Sequence, residues 1–596
     1  MVLLGPSTTG RRAASQRPPA ASEPATNPFG MATSGEAASQ YATFLPQLAQ
    51  SGVRSLRVFG EWGSLEPREG AFEFGYEDRR IAAVRRAGIE PTGLLLYSAR
   101  WALPANTTHV KTFPMNRLDA YGRYVAKVVE RYRDSIRYWE VWNEPNAVAF
   151  NQGKHSAADY AKLVATAYRA AKKVHPSAQL GIGCANFDLP YLRLVIKELA
   201  AQNAPDAFDF VAVHPYELLG AIASDGGELQ FLGIVNNVRK MLAEVAPKRR
   251  NVPIRFTEIG AREKLDKDEG VELNVAAQLL VKAYTLAIAQ GVDHVQWFET
   301  KDAGASRGFG LLTDDMKPRP AFLAFRALTD ALGDSPMYQG YLPLGEGGIG
   351  YGFVFSADGE NVLVAWMPKG KTTSLRFDGN LFVIDVYTQR GRELASQSAL
   401  TVSDKPVILM GISNSLMRTA INNRKNPYPW GSAPLSAKLA AITFGPRNLE
   451  RGIAQYRRAD SVPVSFGDGT TGVRVNVGRN NVLPIAVSPA FADYGTREVW
   501  VRVTARTTEP VRQGVNAGMN LWYQSTSGSP KGAPPYPYTN ARVWWTVEPD
   551  QRWHSKVWRL TDAMFVNTFG FSLYLQFDAS PTFVVGKIEV SKVPFE

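Results

Sequence analysis

Between residues 29 and 332, short apolar runs alternate with longer segments in which apolar residues recur every three or four positions. The segments 158–176 and 273–291 show this helical spacing and end in Pro and Gly, which commonly terminate helices. Alternating strands and helices are typical of a parallel sheet, because two parallel strands need a long crossover and a helix usually provides it. This alternation restricts the segment to an α/β fold.

Eight of the short apolar runs qualify as strands. They cover residues 29–32, 55–59, 89–97, 138–142, 179–183, 208–213, 254–258 and 294–298. Eight strand–helix repeats over about 300 residues fit a closed (β/α)8 barrel, or TIM barrel, better than an open doubly wound sheet. No strand is followed by a GxGxxG or GxxxxGK[ST] loop, which argues against a nucleotide-binding fold.

The patterning changes after the predicted barrel, residues 28–335. Residues 336–412 contain short strands separated by Gly, Asp and Lys turns, which predicts a small β-domain packed on the barrel. The polar stretch 413–434 is interpreted as a linker. Residues 435–596 alternate with period two, which predicts an antiparallel β-sandwich of jelly-roll type. Residues 1–27, rich in Pro, Ala, Ser and Thr, are predicted to form a disordered or loosely held tail.

Composition excludes several classes of protein. No apolar run approaches the length needed to span a bilayer. A single cysteine, Cys184, excludes an internal disulfide framework and a multi-cysteine metal site. The net charge of +12 comes from scattered basic residues that form no stripe, so we expect no nucleic-acid partner. A solvated basic surface explains the charge, with attraction to an anionic polysaccharide as the alternative, and the sequence carries no indication of oligomeric state.

Two glutamates stand at predicted strand ends. In YWEVWNEPN, residues 138–146, strand alternation places Glu140, Trp142 and Glu144 on one face, with Glu144 where the fourth strand ends. In PIRFTEIG, residues 253–260, Glu258 ends the seventh strand. Active sites of barrels lie at the C-terminal ends of their strands. Glycoside hydrolysis by double displacement needs two facing carboxyl groups about 5 Å apart, and these strand ends are suited to supply them.

The WNEP motif, followed by a strand that ends in TE-x-G, resembles clan A of the glycoside hydrolases. In that clan an Asn-Glu pair ends strand four and a Glu ends strand seven. The resemblance implies that Glu144 is the general acid/base and Glu258 the nucleophile of a retaining enzyme. It also implies that Asn143 hydrogen-bonds the sugar 2-hydroxyl, and that Arg57, at the end of strand two, keeps the nucleophile ionised.

Three further positions match the same clan pattern. His214 and Tyr216, in VHPY after strand six, resemble the His-x-Tyr pair, in which the tyrosine orients the nucleophile. Trp297, in VQWFET on strand eight, resembles the aromatic floor of the first sugar subsite. Glu140 is expected to point into the barrel as the buried partner of a basic residue rather than to bind substrate.

Aromatic residues in the loops after strands two and three have two readings. Trp62, Tyr97 and Trp101 are either platforms on which the C–H faces of a sugar stack, or caps over the barrel. The C-terminal domain poses the same question, because six of the 13 tryptophans of the chain lie there: Trp500, Trp522, Trp544, Trp545, Trp553 and Trp558. Exposed rings would bind sugar, whereas strand alternation is also able to bury them.

Within clan A, the segments VWNEPN and GFGLLTDDMKPRPAFLAF (308–325) most resemble family thirty-nine and its relatives that cut bacterial exopolysaccharides, with family five as a competitor. The resemblance implies a glycosidase that cleaves an equatorial, usually β-D, bond in a polysaccharide or oligosaccharide without a cofactor or metal. A non-catalytic sugar-binding barrel and a transglycosidase are the alternatives. The N-terminus lacks a signal-peptide core, and we interpret its tail as the remainder after a removed signal, which predicts a secreted or periplasmic protein.

Overall fold

A computed structural model describes residues 2–3, 27–58, 60–225, 227–265, 270–430, 436–456, 461–475, 481–508, 518–526, 538–541, 543–577 and 583–596. Its centre is a closed barrel of eight parallel strands. These are β1 Phe29–Ala32, β2 Ser55–Arg57, β3 Glu90–Leu95, β4 Tyr138–Val141, β5 Gln179–Ala185, β6 Phe210–His214, β7 Ile254–Ile259 and β8 Val295–Phe298. Strand β8 pairs with β1, Trp297 opposite Met31, which closes the barrel.

The predicted (β/α)8 barrel is therefore confirmed. Each predicted strand coincides with an observed one within a few residues, and position 59 of the predicted second strand lies outside the described residues. The predicted N-terminal tail also lies almost wholly outside them. Of the tail, Asn27 and Val2–Leu3 are described, the latter as a two-residue strand that pairs with Arg390 and Gly391.

Twelve helices of the described chain accompany the barrel strands. They are α1 Gly35–Ala38, α2 Tyr41–Gln50, α3 Trp62–Leu65, α4 Gly75–Arg86, α5 Leu118–Arg131, α6 Ala157–Val174, α7 Leu189–Ala201, α8 Tyr216–Asp225, α9 Glu228–Leu232, α10 Ile234–Val245, α11 Leu273–Gln290 and α12 Pro320–Leu332. Local sequence defines their ends. Ser156 and Asp159 form a reciprocal capping box at the start of α6, and Gly291, with a φ of 79°, ends α11 in the left-handed conformation.

Polar side chains fill the middle of the barrel. Gln296 Nε2 donates to Ser55 Oγ at 3.4 Å and to Thr92 Oγ1 at 3.3 Å, so β2, β3 and β8 share one polar layer. Because neighbouring side chains of a strand point to opposite faces, Leu56 and Trp297 must face the surrounding helices. This register determines which residues reach the catalytic end of the barrel.

The small β-domain follows α12 as an antiparallel sheet. Its strands are β9 Met337–Leu344, β10 Gly350–Ala357, β11 Glu360–Trp366, β12 Thr373–Leu375, β13 Leu381–Asp385, β14 Arg390–Leu394, β15 Leu400–Val402 and β16 Val407–Met410, of which β12 and β15 form a separate pair. The domain packs on the barrel through a buried cluster. Trp366 Nε1 donates to Glu228 Oε1 at 3.1 Å, and Lys282 forms an ion pair with the same carboxylate.

The stretch predicted as a linker is in fact partly folded. It contains a helix, α13 Asn414–Asn423, which begins at the capping side chain of Ser413 and buries Met417 and Ala420 against the small β-domain. Trp430 is also buried and donates from Nε1 to Gly350 O. The polar composition of the stretch hid these contacts, because an amphipathic helix needs only one narrow apolar face.

The C-terminal domain consists of two packed antiparallel sheets, as predicted for a sandwich. Its strands are β17 Leu439–Thr443, β18 Leu449–Arg451, β19 Ile453–Gln455, β20 Ser461–Ser465, β21 Thr471–Val475, β22 Val482–Val487, β23 Val499–Thr507, β24 Gly518–Gln524, β25 Tyr538–Asn540, β26 Trp545–Thr546, β27 His554–Leu560, β28 Leu573–Phe577 and β29 Phe583–Ser591. The first sheet contains β17, β18, β20, β21, β23, β27 and β29, and the second contains β19, β22, β24, β25, β26 and β28.

One end of the sandwich is joined to the barrel by specific contacts. Tyr494 OH donates to Glu244 Oε2 at 2.6 Å, and its backbone N–H donates to Asn237 Oδ1. Thr568 Oγ1 donates to Phe187 O at 2.8 Å, in the loop that follows β5. The buried residues Met564 and Val566 belong to the same apolar cluster as the barrel core. No helix among the described residues is both long and apolar enough to cross a membrane.

Candidate active site

The predicted polar residues converge at the C-terminal ends of the barrel strands. Arg57 ends β2, Asn143 and Glu144 follow β4, His214 ends β6 and Glu258 lies near the end of β7. Tyr216 begins α8 two residues after His214. This is the end of a barrel where active sites lie.

Glu258 is held from two sides. One carboxylate oxygen, Oε2, accepts from Arg57 Nη1 at 2.8 Å, and the other, Oε1, accepts from Tyr216 OH at 2.9 Å. A break in the register between Phe256 and Ile259 aims the side chain, because Thr257 and Glu258 both turn towards the barrel interior. Such a bulge is a common way to redirect a side chain beside an active site. The prediction that Tyr216 orients Glu258 agrees with this geometry.

Arg57 is the centre of the network and is buried. Its Nε and Nη2 donate to both oxygens of Glu140 at 3.1 and 3.0 Å, and Nη2 also donates to Asn143 Oδ1 at 2.8 Å. The carboxylates of Glu140 and Glu258 outweigh the desolvation of Arg57, and its pKa is raised above its ordinary value. Glu140 thus is the buried partner of a basic residue, as expected. Burial of the paired charges fixes Arg57 and, through it, Asn143 and Glu258.

Glu144 belongs to a second hydrogen-bonded chain. Its Oε1 lies 2.8 Å from His214 Nδ1, and His214 Nε2 lies 3.2 Å from Thr257 Oγ1. Thr257 donates its one hydroxyl proton to Glu140 Oε2, so its oxygen accepts from His214 Nε2. Nδ1 of His214 and Oε1 of Glu144 lie at hydrogen-bonding distance, so one proton lies between them, on the ring nitrogen or on the carboxyl. The pair therefore holds a proton at the position of an acid catalyst.

The two carboxyl groups face each other across a short gap. An oxygen of Glu144, an oxygen of Glu258 and a ring nitrogen of His214 all lie within 4.8 Å of one another. Three such groups also make a conceivable metal site. However, both Glu258 oxygens already accept hydrogen bonds, and the Nδ1 atom of His214 is engaged by Glu144. The atoms that would bind a metal are thus already engaged in hydrogen bonds with protein groups. The geometry favours acid–base chemistry at the carboxyl groups.

The interpretation of Trp297 as the aromatic floor of a sugar subsite is wrong, because the predicted inward face of β8 is shifted by one residue. Its neighbour Gln296 points into the barrel, so Trp297 faces the helices, where it is 1% exposed. Phe298 is the residue on the inner face. Its ring is half-buried and contacts Phe309 edge-on at 5.3 Å, and Phe309 in turn contacts Tyr216. Phe298 is thus the aromatic residue of β8 that a chain of ring contacts links to Tyr216, and a one-residue shift in the predicted register would have identified it.

The three aromatic residues of the loops after β2 and β3 differ in how far their rings are buried. Trp62 is 0% exposed, stacks on Tyr124 and donates to Glu66 Oε2, so it belongs to the core and is not a sugar platform. Tyr97 is also buried and packs on Trp142. Trp101 is half-buried, with Arg117 over its ring and its Nε1 donating to Glu66 O. Only Trp101 of the three retains an accessible ring.

One wall of the site, formed by the loops after β4 and β5, was not predicted from the sequence. Asn146, two residues after Glu144, exchanges hydrogen bonds with the Ala185 backbone and donates to Asp188 Oδ2 at 2.9 Å. Phe187 N donates to Glu217 Oε1, and burial raises the pKa of the Glu217 carboxyl. These contacts tie the Glu144 loop to the loop after β5. The sequence signal for this wall is the Asn two residues after Glu144.

A closed eight-stranded barrel that carries facing glutamates at the ends of strands four and seven, with these Arg, Asn, His and Tyr partners, has the architecture of the clan A glycoside hydrolases. The sequence comparison is consistent with that class. Residues 72–340 match the family described as glycosyl hydrolases family 39. The matched segment includes most of the barrel, which therefore resembles the catalytic domain of that clan A family, and the protein is a glycosidase.

Solved structures share the fold. A family 39 glycoside hydrolase from Bacteroides cellulosilyticus WH2 superposes with a TM-score of 0.54 at 20% identity, over 65% of this chain and 81% of the other. A glucosidase from Croceicoccus marinus covers 96% of this chain and 97% of its own, at 13% identity and a TM-score of 0.46. Among curated proteins no match is found.

Proposed function

We propose that this glycosidase cleaves an equatorial, usually β-D, glycosidic bond of a polysaccharide or oligosaccharide with retention of anomeric configuration. The observation that carries the proposal is the distance between the carboxyl groups, whose nearest oxygens lie within 4.8 Å. Retaining enzymes hold these groups about 5 Å apart, whereas inverting enzymes separate them further to admit water between them. The gap here suits direct attack by one carboxylate on the anomeric carbon.

The partners of each glutamate suit one role. Glu258, which a guanidinium and a phenol hold in place by hydrogen bonds to its two oxygens, attacks the anomeric carbon and forms an ester. Glu144, with its proton shared with His214, protonates the departing glycosidic oxygen. In the second step Glu144 takes a proton from water, the water oxygen bonds to the anomeric carbon, and Glu258 leaves as a carboxylate.

The test is the configuration of the first-formed product. Proton NMR of the wild-type reaction should show the substrate anomer first, followed by mutarotation. With an activated aryl glycoside and azide, Glu144→Ala should give a glycosyl azide of the original configuration, and Glu258→Ala one of the opposite configuration. Glu299→Gln is a matched control, because Glu299 is a barrel-end carboxyl with 0% exposure, and it should retain turnover. An inverted first product would overturn the mechanism.

A broad glycan screen, with product mass spectrometry and Glu258→Gln as the blank, identifies the substrate. Transfer of glycosyl groups to sugars in place of water would identify the enzyme as a transglycosidase that uses the same residues. A polymeric substrate is found outside the cytoplasm, so this proposal includes secretion or a periplasmic location. Immunoblots of culture medium, periplasm and cytoplasm test that location.

A further inference from the structure

The outer face of the second sheet of the sandwich displays two parallel, stacked rings. Trp522 on β24 and Tyr574 on β28 stand directly opposite each other in register, with ring centroids 5.7 Å apart and planes inclined by 4°. Their neighbours Leu521 and Leu575 point into the sandwich core, so both rings lie on the outer face. Both are half-buried. Together they form a stacked aromatic pair on the outer face of the sheet.

Further aromatic residues extend this surface in both directions. Towards the barrel, the ring of Phe571 contacts the ring of Tyr574, with centroids 5.8 Å apart. Phe569 lies beyond Phe571 in the same direction. Away from the barrel, Trp544 is 45% exposed and lies over Gly518, where any side chain would collide with the indole. The term aromatic strip is used below for these residues together: Trp522, Trp544, Phe569, Phe571 and Tyr574.

Amide groups lie among the rings. Gln576, which is exposed, accepts from Trp522 Nε1 at 2.8 Å, and Asn520 is its partner in register across the two strands. The Oδ1 atom of Asn520 makes no hydrogen bond with any described residue. Rings flanked by uncharged amides suit a neutral sugar chain, whose C–H faces stack on the rings while its hydroxyls pair with the amides.

The strip starts at the catalytic end of the barrel. Phe569 follows Thr568, whose hydroxyl donates to Phe187 O in the wall beside Glu144. Strand β24 ends at the same junction, where Arg193 of α7 approaches Thr526 O. From Gln524 back to Gly518 the strand extends roughly 20 Å at about 3.4 Å per residue, so the strip leads away from the active site along the sandwich.

We propose that the aromatic strip binds a neutral segment of the same polysaccharide chain that the barrel cleaves, several sugar units from the scissile bond. This inference rests on the proposed polysaccharide substrate. The strip is continuous with the wall of the active site through Phe187 and Thr568, which makes one extended sugar chain the matching occupant. Contacts away from the reacting bond raise affinity for the polymer without contributing to the chemistry.

The other tryptophans of the domain have different surroundings. Trp558 is buried and donates to Val543 O, and Trp545 packs against it in the core. Trp553 donates to Thr470 Oγ1 and lies over Gly586 of the first sheet. Trp500 is half-buried on the outer face of the first sheet, under Arg559. Trp500 is therefore a matched control for Trp522.

The experiment uses the full chain carrying Glu258→Gln, so that the polymer remains intact. Native affinity electrophoresis is run in gels that contain hydroxyethylcellulose, glucomannan, galactomannan or alginate. At least one neutral polymer should retard the protein. For that polymer, adding Trp522→Ala should weaken binding about tenfold, as expected for truncation of a central tryptophan, and Trp544→Ala should weaken it by a smaller factor. Trp500→Ala should leave the dissociation constant within twofold.

Folding is checked by thermal melting, and Trp522→Phe, which retains a ring, should recover most of the affinity. Equal losses in the Trp500 and Trp522 variants, retardation by alginate alone, or no retardation by any neutral polymer would overturn the proposal. Turnover of an activated aryl glycoside, measured without the Glu258 substitution, should be unchanged by Trp522→Ala. Polymer binding by a protein that hydrolyses no glycoside would refute the proposed function and leave the strip intact.

Discussion

Tyr216→Phe removes one hydrogen bond from the nucleophile and leaves its ion pair with Arg57 in place. Tyr216 OH donates to Glu258 Oε1 at 2.9 Å. Burial and the charge of Glu258 raise the pKa of Tyr216 well above its ordinary value, so the phenol stays a proton donor throughout the neutral range. The substitution therefore removes the same hydrogen bond, from a neutral phenol to Glu258, at every pH at which the enzyme is assayed.

The magnitude follows from the charge that Glu258 carries at each stage. A hydrogen bond to an ion contributes about 1.5–3 kcal/mol and one to a neutral group about 0.5–1.5 kcal/mol, a difference of roughly 1–1.5 kcal/mol. In the proposed mechanism, Glu258 is an uncharged ester in the intermediate and regains its charge as the intermediate breaks down. The variant should therefore slow deglycosylation about fivefold to tenfold. Formation of the ester, in which the charge disappears, should be slowed much less.

The assay separates these steps with a dinitrophenyl glycoside, whose good leaving group makes the first step fast. In Tyr216→Phe, kcat should fall about fivefold to tenfold while kcat/KM, which reports the first step, falls less than about threefold. Mass spectrometry of quenched enzyme should show the glycosyl adduct. Tyr284→Phe is the control, because this buried tyrosine bonds only backbone at Gly30 O, and it should change stability alone. An equal fall of kcat and kcat/KM without adduct would refute the reasoning.

Four other substitutions have defined outcomes. Glu140→Gln leaves the buried Arg57 with one carboxylate in place of two. It should lower the free energy of unfolding by about 2–3 kcal/mol in urea titrations. An unchanged free energy of unfolding would mean that the ion pair is solvated. Trp101→Ala should raise KM for oligosaccharides, whereas Trp62→Phe should lower the melting temperature and leave KM unchanged. Burial raises the pKa of Glu299 to about 7, so its stabilising contribution is complete below pH 4.5 and is lost as pH rises through 7. Relative to wild type, Glu299→Gln should therefore gain stability between pH 5 and 8, and a constant difference in melting temperature across that range would contradict the assignment.

The barrel and its two glutamates could be predicted because strong local signals determine them. Apolar runs of four to nine residues, separated by segments with helical spacing, located every barrel strand, and the strand ends then located Glu144 and Glu258. Arg57, Asn143, His214 and Tyr216 followed from their positions at strand ends in the clan pattern. To place each of these residues, only its strand has to be identified correctly. An error of one or two residues in a strand boundary still leaves the residue at the same end of the barrel.

Side-chain direction was harder to predict than position. Alternation along β4 would put Glu140, Trp142 and Glu144 on one face, yet the strand ends at Val141, and Trp142 and Glu144 have φ values of 68° and 45°. Left-handed backbone at a non-glycine residue depends on the surrounding contacts and has no signature in composition. The same limit applies to Trp297, where the inward face of β8 is defined by cross-strand contacts of its neighbour.

The junction between the domains changes how the sandwich should be tested. A sandwich that only binds sugar would add affinity for polymer, and its removal would spare turnover of a small aryl glycoside. Met564 and Val566, however, complete the apolar cluster of the barrel, and Thr568 bonds the loop that forms one wall of the active site. Truncation would expose that cluster to water and release Phe187, so a loss of activity would reflect a damaged barrel. Single substitutions on the far side of the junction, such as Trp544→Ala, leave these contacts intact, and they separate binding of the polymer from the integrity of the catalytic site.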